Sequence, residues 1–288
     1  MIERIICLAF LVLLSSAQFT RAKSPQETET HRLTEVGKGI YLAQTTARLF
    51  NSNALVVIND EDVLVVDSHI TPTKGRELIS SISSLTSKPV TTLINSHFHF
   101  DHSHGNQAFT DERSPYSTGL EIIGHEFTRQ MMSDSPLEQG TFKRGLSGTE
   151  GAVERLGGQL KNSKDSSQRE KIQSQYDLMR SHLSEWDEIA PVAPTLSFSD
   201  RMTLFRGSRE IQIHFFGRAH TGEDVVVYFP EDKLAFTGDM MLAGPSWLGD
   251  GYVDEFPATL ENLKSLDIKT VSYTHLRAHE TSLHLVCR

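Results

Sequence analysis

The feature that most constrains this chain is the run His97-Phe98-His99-Phe100-Asp101-His102, set directly after an apolar segment at residues 90–95. In extended chain alternate residues face one way, so His97, His99 and Asp101 are expected on one side. A turn immediately afterwards lets His102 join them. Imidazole and carboxylate suit zinc, and iron or manganese less selectively. The fold must therefore bring these side chains to one point if they are to act together.

Bulk properties narrow the setting. The 288 residues can hold one large domain with a sizeable core. Its 38% hydrophobic and 23% charged residues are ordinary for a soluble globular protein. A net charge of −9 argues against a nucleic-acid surface, which needs a basic patch. Residues 1–22 read as a signal peptide. Arg4 opens a short basic region, residues 5–14 are apolar but too short to span a bilayer comfortably, and cleavage is expected after Ala17 or Ala22. An uncleaved anchor is the rival reading. No other segment reads as membrane-spanning, so a periplasmic or secreted protein is expected. Cys7 would be lost with the signal and Cys287 lies in the tail discussed below, so no thiolate ligand or disulfide is expected.

Strands are expected at 39–44, 54–58, 63–66, 90–95, 120–124, 195–198, 202–205, 210–216, 224–229 and 233–237. Asn59 to Asp62 reads as a hairpin turn. Pro72 opens a helix to about Leu85, and a last helix runs from Pro257 to about Leu266. Between about 133 and 190 Lys, Glu, Gln and Ser dominate, with helical stripes at Val153, Leu156, Leu160 and at Ile172, Tyr176, Met179, Leu183, Trp186. This is expected to be a helical insertion with a flexible middle around 162–168, its stripes facing a core and taking no part in a site. Strands and a helix on each side of it suggest two similar α/β halves across a sheet sandwich.

Residues 271–281, VSYTHLRAHET, fit the back-translation of a widely used transposase-type sequencing adapter, and Leu285-Val286-Cys287-Arg288 fits the constant sequence beyond its index. Residues 271–288 are therefore expected to be an artefact, with the domain proper covering 23–270 and its natural end missing.

HFHFDH resembles the His-x-His-x-Asp-His signature of the metallo-β-lactamase superfamily. VLVVDSH around Asp67, GRAHTGED around His220 and FTGD ending at Asp239 follow in the family's order, over about residues 37–270. The resemblance implies an α/β fold, an αββα sandwich with metals at the sheet edges, truncated at its C-terminal end. It implies that His97, His99 and His220 bind one metal, that Asp101 and His102 bind a second, and that Asp239 bridges both, as in glyoxalase-like members. The family's usual last histidine is expected where the adapter begins, and His275, His279 and His284 are not taken as replacements. Asp67 is expected to hold the histidine loop by hydrogen bonds, with His69 and His104 in supporting or loop roles. His125, His182 and His214 read as ordinary structural residues. The loop LAGPSWLGDGY, with Trp247, is expected to line a substrate pocket.

The resemblance further implies a hydrolase with two zinc ions, or iron or manganese, that attacks a small-molecule ester, lactone or amide-like bond with a metal-bound hydroxide, Asp101 orienting the nucleophile. β-Lactamase-like activity is an alternative. Asp239 stands where some subclasses carry cysteine, and the HxHxDH subclass usually lacks a bridging aspartate. A mononuclear iron persulfide dioxygenase and an inactive metal-binding fold are the others.

Overall fold

Two short apolar runs, ALVVI and VLVV, form adjacent strands whose side chains are buried on both faces, and the rest of the molecule is layered around them. The computed structural model describes residues 25–46, 52–133, 140–242 and 247–272. The first sheet runs in chain order: β1 (Gln26–Glu27), β2 (His31–Gly37), β3 (Ile40–Thr45), β4 (Ala54–Ile58), β5 (Val63–Val66), β6 (Val90–Ile94), β7 (Glu121–His125) and β8 (Leu196–Phe198). Neighbours are antiparallel through β5 and parallel from there on. The second sheet has the order β13 (Thr270–Ser272), β12 (Leu234–Phe236), β11 (Val225–Phe229), β10 (Arg209–Phe215), β9 (Arg201–Arg206), with only β12 and β13 parallel.

Strand parity separates the layers. Leu55, Val57, Leu64, Val66 and Ile94 point inward and meet Ile211, Ile213, Val225, Val227 and Phe236 of the second sheet in one core. The alternate residues Val56, Val63, Val65 and Leu93 point outward, against Leu78, Ile79 and Ile82 of α1 (Pro72–Leu85) and Phe109 of α3 (Asn106–Thr110). On the other side Val226, Tyr228 and Ala235 pack against Leu263 of α7 (Phe256–Leu263). The result is the expected αββα sandwich. Each fully buried aliphatic side chain here contributes about 1.5–3 kcal/mol. Thr71 caps α1, its hydroxyl accepting from Lys74 N at 3.2 Å, with Pro72 at the first helical position.

Several sequence expectations need correction. No strand is expected before residue 39, but β2 lies there, and its buried positions include His31 in place of an aliphatic residue, so the hydrophobic alternation is weak. α4 (Glu126–Ser133) precedes the insertion, which is helical as expected, in α5 (Gly140–Asn162) and α6 (Ser166–Ser184), with a break at 163–165. Its far stripe of Leu156, Leu160 and Ile172 packs with Tyr176 and Met179, joining the two helices to each other. Its near stripe of Leu183 and Trp186 is core-facing as expected, packing with Phe142, Leu146 and Phe100 in a cluster of its own. Val271 and Ser272 pair with β12 in β13, while 273–288 and the segment read as a signal peptide lie outside the described residues. Among the described residues no helix is long and apolar enough to cross a membrane.

Candidate metal centre

The site forms where β5, β6 and β12 end on one rim of the sandwich, beside the loop joining β10 to β11. The histidine run does not continue as extended chain. His102 N bonds to His99 O at 3.1 Å, and residues 100–103 make one turn of helix, α2 (Phe100–Ser103). That turn sets Asp101 and His102 side by side, while His97 and His99 approach from the preceding loop. His220 comes from the β10–β11 loop and Asp239 from the turn after β12. Gly238, just before Asp239, has φ +54°, and a Cβ there would lie 2.8 Å from Ser96 Oγ, so glycine is required for this approach.

The six residues expected from sequence come together, all buried. Ligand atoms of His97, His99 and His220 lie within 4.8 Å of one another, and so do those of His97, His102 and Asp239. His99 Nδ1 and His220 Nε2 are 3.1 Å apart. Asp239 faces both groups, with Oδ1 3.3 Å from His102 Nε2 and Oδ2 3.5 Å from His220 Nε2. Asp101 joins through Oδ2, 3.5 Å from His102 Nε2.

Asp67, with φ +61°, organises the imidazoles. Its Oδ1 accepts from Ser96 N at 2.8 Å, and its Oδ2 faces Ser96 Oγ at 2.8 Å and His102 Nδ1 at 2.7 Å. A carboxylate there accepts the Nδ1–H of His102 and turns Nε2 toward the cluster. Ser96, donating to Asp67, accepts from His97 Nδ1 at 3.0 Å and fixes that ring in the same tautomer. His97 Nε2 is buried with no hydrogen-bond partner among the described residues, which is the condition of a ligand atom aimed at a cation. His99 Nε2 lies 3.3 Å from Asp250 Oδ2, and Arg144 of α5 holds Asp250 Oδ1 at 2.5 Å while lying over Trp247.

Burial holds His97 well below the ordinary histidine range, with His102 and His99 adding to the effect, and takes His220 to about 4. Burial opposes charge on His102 as well, but Asp239, Asp101 and Asp67 together raise it well above that range. Three buried carboxyl groups around one imidazole, beside histidines kept neutral, form a cage suited to a divalent cation.

Other expected residues separate from the cluster. His69 Nε2 meets His31 Nε2 at 3.0 Å, away from the ligand groups. His104 sits in the aromatic cluster of Phe142 and Trp186, where burial holds it at about 3. His125 bonds to Ser199 O, His182 lies against Trp186 and His214 stacks on Phe216. Trp247 is 47% exposed with its ring 5.6 Å from that of His99, so this residue of the loop expected to line a pocket flanks the cluster. Ser96, Asp250, Arg144 and Glu223 went unremarked in the sequence. Only Glu223 carried a signal, as a carboxyl group two residues before the fully buried strand VVVYF. It is buried and, with Asp224 beside it, pushed up to about 8.

A family model for the metallo-beta-lactamase superfamily matches residues 47–275. A metallo-beta-lactamase type 2 from Elizabethkingia meningoseptica is 31% identical over 72 residues, which is 24% of this chain and 29% of that protein's length. A metallo-beta-lactamase from Pontibacter korlensis superposes with a TM-score of 0.59 at 17% identity, covering 86% of this chain and 92% of the other. One from Erythrobacter litoralis gives 0.57 at 16% identity, covering 88% and 92%.

Proposed function

The chain belongs to the metallo-beta-lactamase superfamily, and on that premise we propose that it is an exported metallohydrolase, holding two zinc ions, that cleaves an ester, lactone or amide-like bond of a small molecule. The observation that carries this reading is the pair of ligand groups sharing His97, with one oxygen of Asp239 turned to each. In this reading His97, His99 and His220 would hold one ion, Asp101 and His102 would hold the other, and Asp239 would contribute an oxygen to the set. Bound there, such ions supply a nucleophilic water at neutral pH and positive charge for the oxyanion formed on attack.

The chain's own groups do the rest. Asp67 and Ser96 engage Nδ1 of His102 and His97 and so keep each Nε2 pointed inward. Asp101, which faces the cluster through Oδ2, would take a proton from the attacking water and return it to the leaving group. Trp247 gives the substrate an apolar wall and excludes water from one side. A β-lactam is the second substrate class to assay, because the curated relative and the structural neighbours are named as metallo-beta-lactamases.

The test is metal analysis of the purified protein, followed by assays with lactone, ester and β-lactam panels on wild type and Asp101→Ala. Bound zinc is expected, with hydrolysis falling by about 10²–10⁴-fold in the variant. A protein free of transition metal, or undiminished activity in Asp101→Ala, overturns the proposal.

A further inference from the structure

Glu223 is fully buried, one of the most deeply buried carboxyl-bearing side chains among the described residues, and no step above uses it. Its Oε1 accepts from the backbone N–H of Phe98 at 2.9 Å and from Thr128 Oγ1 at 3.1 Å. Phe98 is the residue between His97 and His99. Thr128 belongs to α4, and Glu223 itself stands three residues after His220. One side chain therefore ties together the loop bearing two expected ligands, the loop bearing a third, and the helix behind them. The Phe98 amide has no place in a regular ladder, since β6 ends at Ile94, so this acceptor sets its direction.

We propose that Glu223 is a positioning residue for the metal centre, its accepting oxygen fixing the Phe98 backbone so that His97 and His99 converge with His220. The inference rests on the metal-binding reading of the cluster. What matters in it is the acceptor and its reach. A glutamine in this place would keep an oxygen there with no charge, an alanine would leave the amide without a partner, and an aspartate would fall one methylene short.

The experiment compares zinc affinity of wild type, Glu223→Gln and Glu223→Ala by competition with a chromophoric chelator, and follows amide exchange at Phe98. Outer partners of a metal site typically control about 10–100-fold in affinity. Glu223→Ala is expected to lose that much, Glu223→Gln to stay within about threefold of wild type on the same principle of an acceptor retained, and the Phe98 amide to exchange slowly in wild type. Should Glu223→Ala fail to fold, the other two measurements decide. Fast exchange at Phe98 in wild type, or loss in Glu223→Gln of about 10-fold or more, overturns the proposal, as does wild-type affinity in Glu223→Ala. A wild-type protein that binds no zinc overturns the metallohydrolase reading and this one with it. The other outcomes strike this one alone.

Discussion

Asp67 shows how much a single side chain can decide. Its two oxygens reach a backbone N–H, a hydroxyl and an imidazole, all fully buried. Replacing it by Ala leaves three buried polar groups without their acceptor, at about 1–3 kcal/mol for each one that stays unsatisfied. Because Ser96 relays its effect to His97, two rings lose their fixed tautomer together. Asp67→Ala is therefore expected to lower both the denaturation midpoint and metal affinity, the latter by at least about 10-fold, read by urea titration and chelator competition. A variant that binds metal as wild type does would show that the rings are set by packing alone.

At the scale of elements, the inserted helix α5 is fitted to the metal loop at one glycine. A Cβ on Gly145 would lie 2.7 Å from two ring atoms of Phe100, which is itself held by His104 and Trp186. A Cβ on Gly148 or Gly151, in the same helix, would meet nothing within 4 Å. Alanine gains about 1 kcal/mol over glycine in a helix, and overpacking costs about 1–3 kcal/mol. Gly151→Ala should thus raise the thermal midpoint and Gly145→Ala should lower it. Melting both variants checks the pair, and a shift of the same sign in both refutes the contact.

Elements also show what could be read in advance. The bounds of β4, β5 and α1 follow from continuous apolar runs and from the Thr71-Pro72 start, signals that are local. β2 escaped because His31 fills a core position and its partner, His69, lies 38 residues away. The six expected ligands were legible because four of them share one motif and the others sit in recognisable segments. Asp250 and Arg144 were not, since their link to His99 joins residues 151 and 106 positions apart along the chain. The turn at His99 was missed for a related reason, as alternation of histidines looks the same in a strand and in a loop.

Many of the buried histidines of this molecule are held below the ordinary range. Burial takes His31 to about 4 from its ordinary 6.5, with Lys74 reinforcing the shift, and its partner His69 is driven well below that range by burial as well. The unfolded chain takes up protons at these rings once the pH falls below about 6.5. Stability is then lost as pH falls from about 6.5 through about 4, by about 3 kcal/mol for His31 on this shift. Denaturant titrations of the metal-free protein at pH 7 and pH 4.5 should show this loss, and His31→Gln should reduce it. An equal loss in that variant would place the acid sensitivity elsewhere.

The ligands are contributed by both sheets: three histidines and Asp101 follow β6 of the first, while His220 and Asp239 come from the second. An ion among them is thus a rivet through the two layers, joining His99 to a residue 121 positions along. Prising the layers apart at this rim means stripping the ion of donors on one side, so the loaded protein would be slow to open even where its equilibrium stability is modest.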